Sequence, residues 1–172
     1  MANTYTLIAS NTLGSSAASV TFSSIPNTYT DLVLKMSIKT TNNSATGDGW
    51  IQINSASNTY YYRRLFGTGI SSGSDSSSGD FSGFFFNQVN GSSSVVTNVF
   101  ANSEFYIPNY TGSTKKIASQ FTVQERNDSV AYINALAHST DITSAISSLT
   151  IYGSSGNLAS GSSFFLYGIK NS

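Results

Sequence analysis

A chain of 172 residues with 8 basic and 8 acidic side chains lacks the positive footprint that nucleic-acid binding needs. With no cysteine it can form neither disulfides nor thiolate metal sites, and no stretch approaches the ~18 apolar residues of a membrane span. Charged residues make up 9%, against roughly 25% in an ordinary soluble domain, while 39% hydrophobic and 13% aromatic residues supply ample core for one domain over 1–172.

Alternation with a period of two dominates the chain, the mark of strands with one face buried. The opening MANTYTLIAS has no basic segment ahead of an apolar run, so it is not a secretory signal. A first strand is expected at Tyr5–Ala9 and a second at Ala18–Ser23. In Asp31–Thr40, Leu32, Leu34, Met36 and Ile38 fall on one face, opposite Asp31, Lys35, Ser37 and Lys39. Trp50–Asn54 and Thr59–Phe66 follow, then Gly67–Gly79 (GTGISSGSDSSSG), which has almost nothing to bury and reads as a flexible excursion or a loop on a partner. Phe81–Asn87 is a strand ending near the tight-turn dipeptide Asn90-Gly91. Asn98–Ile107 places Val99, Ala101, Ser103, Phe105 and Ile107 inward, and Lys115–Gln124 places Ile117, Ser119, Phe121 and Val123 inward. Val130–Ala137, Leu149–Tyr152 and Phe164–Ile169 complete the set.

The only helical spacing is Ile142, Ala145, Ile146 and Leu149, which predicts one turn near Asp141–Ser148. The expected fold is a single antiparallel β-sandwich, jelly-roll-like, with a core of Leu32, Leu34, Met36, Ile38, Phe105, Ile107, Phe121, Val123 and Ile151.

Catalytic signals are sparse. The single histidine, His138, has Asp141 nearby and abundant serine, but no GxSxG elbow accompanies it, so a structural histidine at the end of a strand is the expectation. Asp75 and Asp80 in DSSSGD lack the spacing of a calcium loop and read as solvated aspartates. No enzyme activity, metal or cofactor is expected.

The most unusual cluster is Tyr60-Tyr61-Tyr62-Arg63-Arg64, with Trp50 on the preceding strand. Tyr60, Tyr62 and Arg64 share one face of a strand, and Tyr61, Arg63 and Leu65 the other. Aromatic rings and guanidinium planes form both protein hot spots and sugar-stacking platforms, while tyrosines packed at a sandwich edge are the ordinary alternative. Phe84-Phe85-Phe86 is an uninterrupted aromatic run, so at least one ring must leave the main core, which suggests a subunit contact.

Several segments resemble a group of small phage structural proteins common in marine and freshwater phages, especially cyanophages. They are MANTYTLIAS (Met1–Ser10), VTFSSIPNTYTDLVLKMSIKT (Val20–Thr40), FANSEFYIPNYTGSTKKIASQF (Phe100–Phe121) and AISSLTIYGSSGNLASGSSFFLYGIK (Ala145–Lys170). The resemblance implies a jelly-roll-like sandwich without catalysis or cofactor, made in the host cytoplasm and carried on the virion surface. Capsid or other virion proteins are then the partners, with a homotrimer matching three-fold shell positions, and with host glycans as the alternative ligand of a tail-fibre tip. A strand pattern starting at Tyr5 leaves no room ahead of it for an attachment segment or stalk, which ranks head decoration before a fibre tip. The resemblance carries no binding residues that could be transferred.

Overall fold

A computed structural model describes residues 4–57, 59–79, 82–91, 98–125 and 131–170. Among them, twelve strands run β1 (Tyr5–Thr12), β2 (Ser19–Phe22), β3 (Asp31–Ile38), β4 (Thr46–Ile53), β5 (Tyr60–Gly67), β6 (Ser72–Gly79), β7 (Phe84–Asn90), β8 (Ala101–Ile107), β9 (Ile117–Glu125), β10 (Ala131–Thr140), β11 (Leu149–Gly153) and β12 (Ser163–Ile169). They form an antiparallel β-sandwich. An eight-stranded sheet in the order β1-β12-β3-β8-β9-β10-β5-β6 packs on a four-stranded sheet in the order β2-β11-β4-β7. The chain crosses repeatedly between the two sheets, which gives the sandwich its jelly-roll character.

The alternation of β3 works as its sequence reads. Leu32, Leu34, Met36 and Ile38 are sealed between the sheets with Phe105 and Ile107 of β8, Ile51 and Ile53 of β4, and Ile151 of β11. Full burial of a Leu, Ile or Phe side chain stabilises by about 1.5–3 kcal/mol, so this layer dominates the fold energetics.

Three expectations are corrected. The first concerns β9, which is turned over: Ile117, Phe121 and Val123 face solvent, while Ala118, Gln120, Thr122 and Gln124 face inward. The register explains it. Phe121 lies opposite Glu104, whose neighbours Ser103 and Phe105 are the buried residues of β8. Hydrogen bonding explains why polar groups are tolerated inside. The smaller sheet ends at β7, and Gln124 donates from Nε2 to the carbonyls of Ala45 (3.2 Å) and Val89 (3.4 Å). Asn90 in turn donates to the carbonyl of Glu125 at 3.0 Å. Unmet backbone groups in the interior are costly, so the edge of the smaller sheet recruits Gln124 from the opposing sheet.

The second correction is the helical turn, which does not form; the described residues contain no helix. Asn54, at φ 52°, clamps this connection in an irregular path. Its Oδ1 accepts the N–H groups of Ser147 (2.8 Å) and Ser148 (3.1 Å), and its Nδ2 donates to the carbonyl of Ala145 at 2.8 Å. Ile146 donates its N–H to Tyr110 at 3.0 Å. Ile142, Ile146 and Leu149 are buried anchors, so their spacing reflects insertion into the core and not a helix face.

The third is the Ser/Gly stretch Gly67–Gly79, whose second half is the strand β6, paired residue for residue with β5 from Tyr60↔Gly79 to Gly67↔Ser72. The hydroxyl of Thr68 accepts the N–H of Ser71 (3.1 Å) and closes the turn. Arg64 and Asp75 form an ion pair across the hairpin.

Lys116 is 1% exposed. Its ammonium donates to the carbonyls of Gly112, Thr114 (2.8 Å) and Thr143 (3.3 Å), tying the β8–β9 loop to the β10–β11 connection.

Candidate functional site

The inverted β9 leaves a broad apolar band on the outer face of the large sheet. Leu65 is 66% exposed, Ile117 52%, Phe121 and Ile133 47% each, and Val123 40%. The register places these residues together. Leu65, Ala135 and Phe121 form one cross-strand row over β5, β10 and β9, and Gly67, Ile133 and Val123 form the row beside it. Further along, Arg63, Ala137 and Ser119 make a third row, and Tyr61, Ser139 and Ile117 a fourth.

The shape follows from side-chain size. Ala135, Ala137 and Ser139 form a low floor along β10, with longer side chains on β5 and β9 standing as walls about 10 Å apart, twice the strand spacing. Hollows open along this face, one of about 650 Å³ bounded by Arg63, Leu65, Ser76, Ser119, Ala135 and Ala137. A second, of about 480 Å³, lies beside Tyr61, Arg63, Ala137 and Ser139. Nearby, Lys35 pairs with Glu104 at 3.0 Å and Lys115 with Asp141, while Arg63 donates to the Tyr62 carbonyl at 2.8 Å. An apolar trough with a hydroxyl and arginine rim has the anatomy of a docking surface.

The aromatic residues singled out by sequence separate into three environments. Tyr60, Phe84 and Phe86 are core residues at 1%, 0% and 0% exposure, and cannot contact a ligand or partner. The rings of Tyr60 and Phe84 meet edge to face at 5.4 Å. Phe85 is the ring of the run that leaves the core, yet it is covered within the chain: Trp50 packs on it at 5.0 Å and Tyr62 stacks on it at 5.3 Å and 26°. The aromatic surplus taken to imply a subunit contact is therefore largely absorbed internally. Tyr62 sits beside Arg64, Asp75 and Asp48. Burial raises the Asp48 carboxyl above its usual range, opposed by the Gln88 N–H bonded to it at 3.0 Å and by the Arg64 charge. Tyr61 and Arg63 stand on the opposite face, at the rim of the trough.

His138 faces the core, between Phe105 (5.6 Å, stacked) and Phe84 (5.3 Å). Its Nε2 lies 2.9 Å from Oε1 of Gln120. An amide oxygen only accepts, so Nε2 carries a proton. The Gln120 amide donates onward to Thr122 (2.7 Å), whose hydroxyl meets that of Ser103 at 2.7 Å. Burial lowers the His138 pKa to about 3. Asp141 is occupied elsewhere, by Lys115 and by the Tyr61 hydroxyl, so the structure does not assemble the Ser-His-Asp arrangement that the composition allowed.

No family model matches the chain, and no curated protein matches it. Geometry and the residues themselves carry the functional argument.

Asp75 of β6 is committed to Arg64 of β5, and Asp80 lies outside the described residues. Among the described residues no three His, Asp or Glu side chains stand close enough to share a metal ion, and no helix is long and apolar enough to cross a membrane. Sequence reasoning missed Phe121, Val123 and Ile133 as surface residues. The available signal was the run Gln120, Thr122 and Gln124, which alternates as strictly as the apolar set beside it.

Proposed function

We propose that this chain is a non-enzymatic surface protein of a phage particle, seated on the shell or on another virion protein through the outer face of its large sheet. The observation that carries the reading is the apolar band of Leu65, Ile117, Phe121, Val123 and Ile133, held side by side on paired strands. Five large side chains about half exposed amount to a patch of several hundred Å², the scale at which exposed apolar surface marks an interaction site. A rigid, preformed face suits permanent attachment, because little side-chain or loop ordering opposes binding. The resemblance of Val20–Thr40, Phe100–Phe121 and Ala145–Lys170 to phage structural proteins supports the location.

The test is a pair of surface substitutions, Phe121→Ser and Ile133→Asp, in the protein as carried on its particle. Both side chains are about half exposed. Folding stability should change by less than about 1 kcal/mol, whereas loss of a core phenylalanine costs about 3–5 kcal/mol. The double variant should fold normally and be missing from purified particles. Incorporation equal to wild type would sink the docking reading, and a large loss of stability would return Phe121 to the core.

A second reading has its own observation. The Trp50–Phe85–Tyr62 stack, flanked by Arg64, Asp75 and Asp48, combines ring faces with hydrogen-bonding groups, which suits a sugar. Glycan-array binding lost in Trp50→Ala or Tyr62→Ala, together with normal incorporation of the Phe121/Ile133 variant, would favour receptor recognition at a fibre tip.

A further inference from the structure

Each sheet has two edges, and three of the four are blunted. β1 carries a register shift between Leu7 and Ala9. β2 is four residues long. The pairing of β7 with β4 shifts between Gly47 and Gly49, Gln88 on β7 has φ 55°, and the Val89 carbonyl is capped by Gln124. Bulges, short length and covering groups are the usual defences of an edge strand, as are lysine and proline. Among the described residues β6 has none of these, and its one charged side chain, Asp75, is held by Arg64. It runs eight residues, SGSDSSSG, in unbroken register with β5, and its outer side meets no other described strand.

The composition of β6 sharpens the point. Serine and glycine have little intrinsic preference for strands, and β6 contributes no residue to the apolar core. A strand that neither buries side chains nor defends its edge is fit to be completed from its open side. Its single charge, Asp75, is neutralised by Arg64 of the same chain, so two copies can approach without like-charge repulsion.

We infer that β6 pairs antiparallel with β6 of a second copy of this chain, about a two-fold axis perpendicular to the sheet. Such an axis keeps each outer face on the same side, and directly opposed residues then lie on the same face of the sheet. The self-opposed position is therefore one residue. An axis through Asp75 would set two aspartates against each other. An axis through Ser76 sets Asp75 against Ser77, Ser74 against Ser78, and Gly73 against Gly79, with hydroxyl pairs on the outer face and no side chain to obstruct either end. Seven paired residues bury less than the ~800 Å² per partner of a standard interface, so association is concentration-dependent. The two copies would present both outer-face troughs in one direction. The pairing itself does not depend on what those troughs bind.

The chain has no cysteine, which makes cross-linking a clean test. Opposed Cα atoms in an antiparallel pair lie about 4.5–5.5 Å apart, within the reach of a disulfide. Ser76→Cys in the full chain should oxidise to a covalent dimer faster than Ser10→Cys on the opposite edge strand, β1. In light scattering, the wild-type mass should rise toward a dimer with concentration. Ser74→Lys combined with Ser78→Lys, which sets like charges face to face on an exposed strand, should keep a normal circular-dichroism spectrum and remain monomeric. Equal cross-linking at Ser76 and Ser10, or a dimer that survives the two lysines, overturns the proposal.

Discussion

Acidification should destabilise this protein through one residue, His138, beginning well above the pH at which carboxylates protonate. In the unfolded chain the imidazole titrates near 6.5, while in the folded protein burial holds its pKa at about 3. A depressed folded pKa means that the unfolded state binds the proton first. Stability is then complete above pH 6.5 and falls as pH drops toward 3. The slope approaches about 1.4 kcal/mol for each pH unit, and the whole window is worth on the order of 5 kcal/mol. Against a total of about 5–15 kcal/mol for a typical domain, that is enough to dominate acid unfolding. His138→Gln keeps an N–H for the Gln120 oxygen and removes the titration. Urea midpoints measured from pH 7 to pH 4 should fall steeply for wild type and stay nearly flat for the variant. Parallel profiles would mean that the ring is solvated in the folded state.

Removal of the Lys116 ammonium should also be costly. Its three donors satisfy the carbonyls of Gly112, Thr114 and Thr143, holding two irregular connections at one end of the sandwich. Lys116→Met preserves the aliphatic stem and leaves those carbonyls without their donor. The expected loss is roughly 2–3 kcal/mol, read from chemical denaturation with an unchanged dependence on denaturant concentration. The adjacent Lys115 pairs with Asp141 at the exposed surface, and Lys115→Met should leave stability essentially unaltered. Equal effects at the two positions would refute the buried clamp.

The strands were legible where apolar and polar residues alternated without competition. In β3 the two periodic sets differ sharply, and the buried set is the apolar one. In β9 both sets alternate equally well, Ile117, Phe121 and Val123 against Gln120, Thr122 and Gln124. Burial alone favours the first set. The partners of the inward polar set decide for the second: Gln124 donates to the Ala45 and Val89 carbonyls, Gln120 meets His138, and Thr122 meets Ser103 and Gln120; no local pattern reports those partners. The same inversion created the candidate docking face, so fold and site were hidden by one cause. β6 was invisible for a different reason: its order comes from backbone pairing and the Arg64–Asp75 contact, neither of which requires an apolar residue. The aromatic run at Phe84–Phe86 was read correctly as sending one ring away from the core. Its destination depended on pairing across β4 and β7, which sets Trp50 opposite Phe85, and on Tyr62 reaching it from β5 of the other sheet.

The proposed seat of this protein on a phage particle is the outer face of β5, β10 and β9. The decisive measurement is its copy number against the major capsid protein in purified particles. A fixed ratio to the shell protein is expected, lost when Phe121→Ser and Ile133→Asp are combined. A count that follows the tail proteins, or incorporation that ignores those two substitutions, would contradict it.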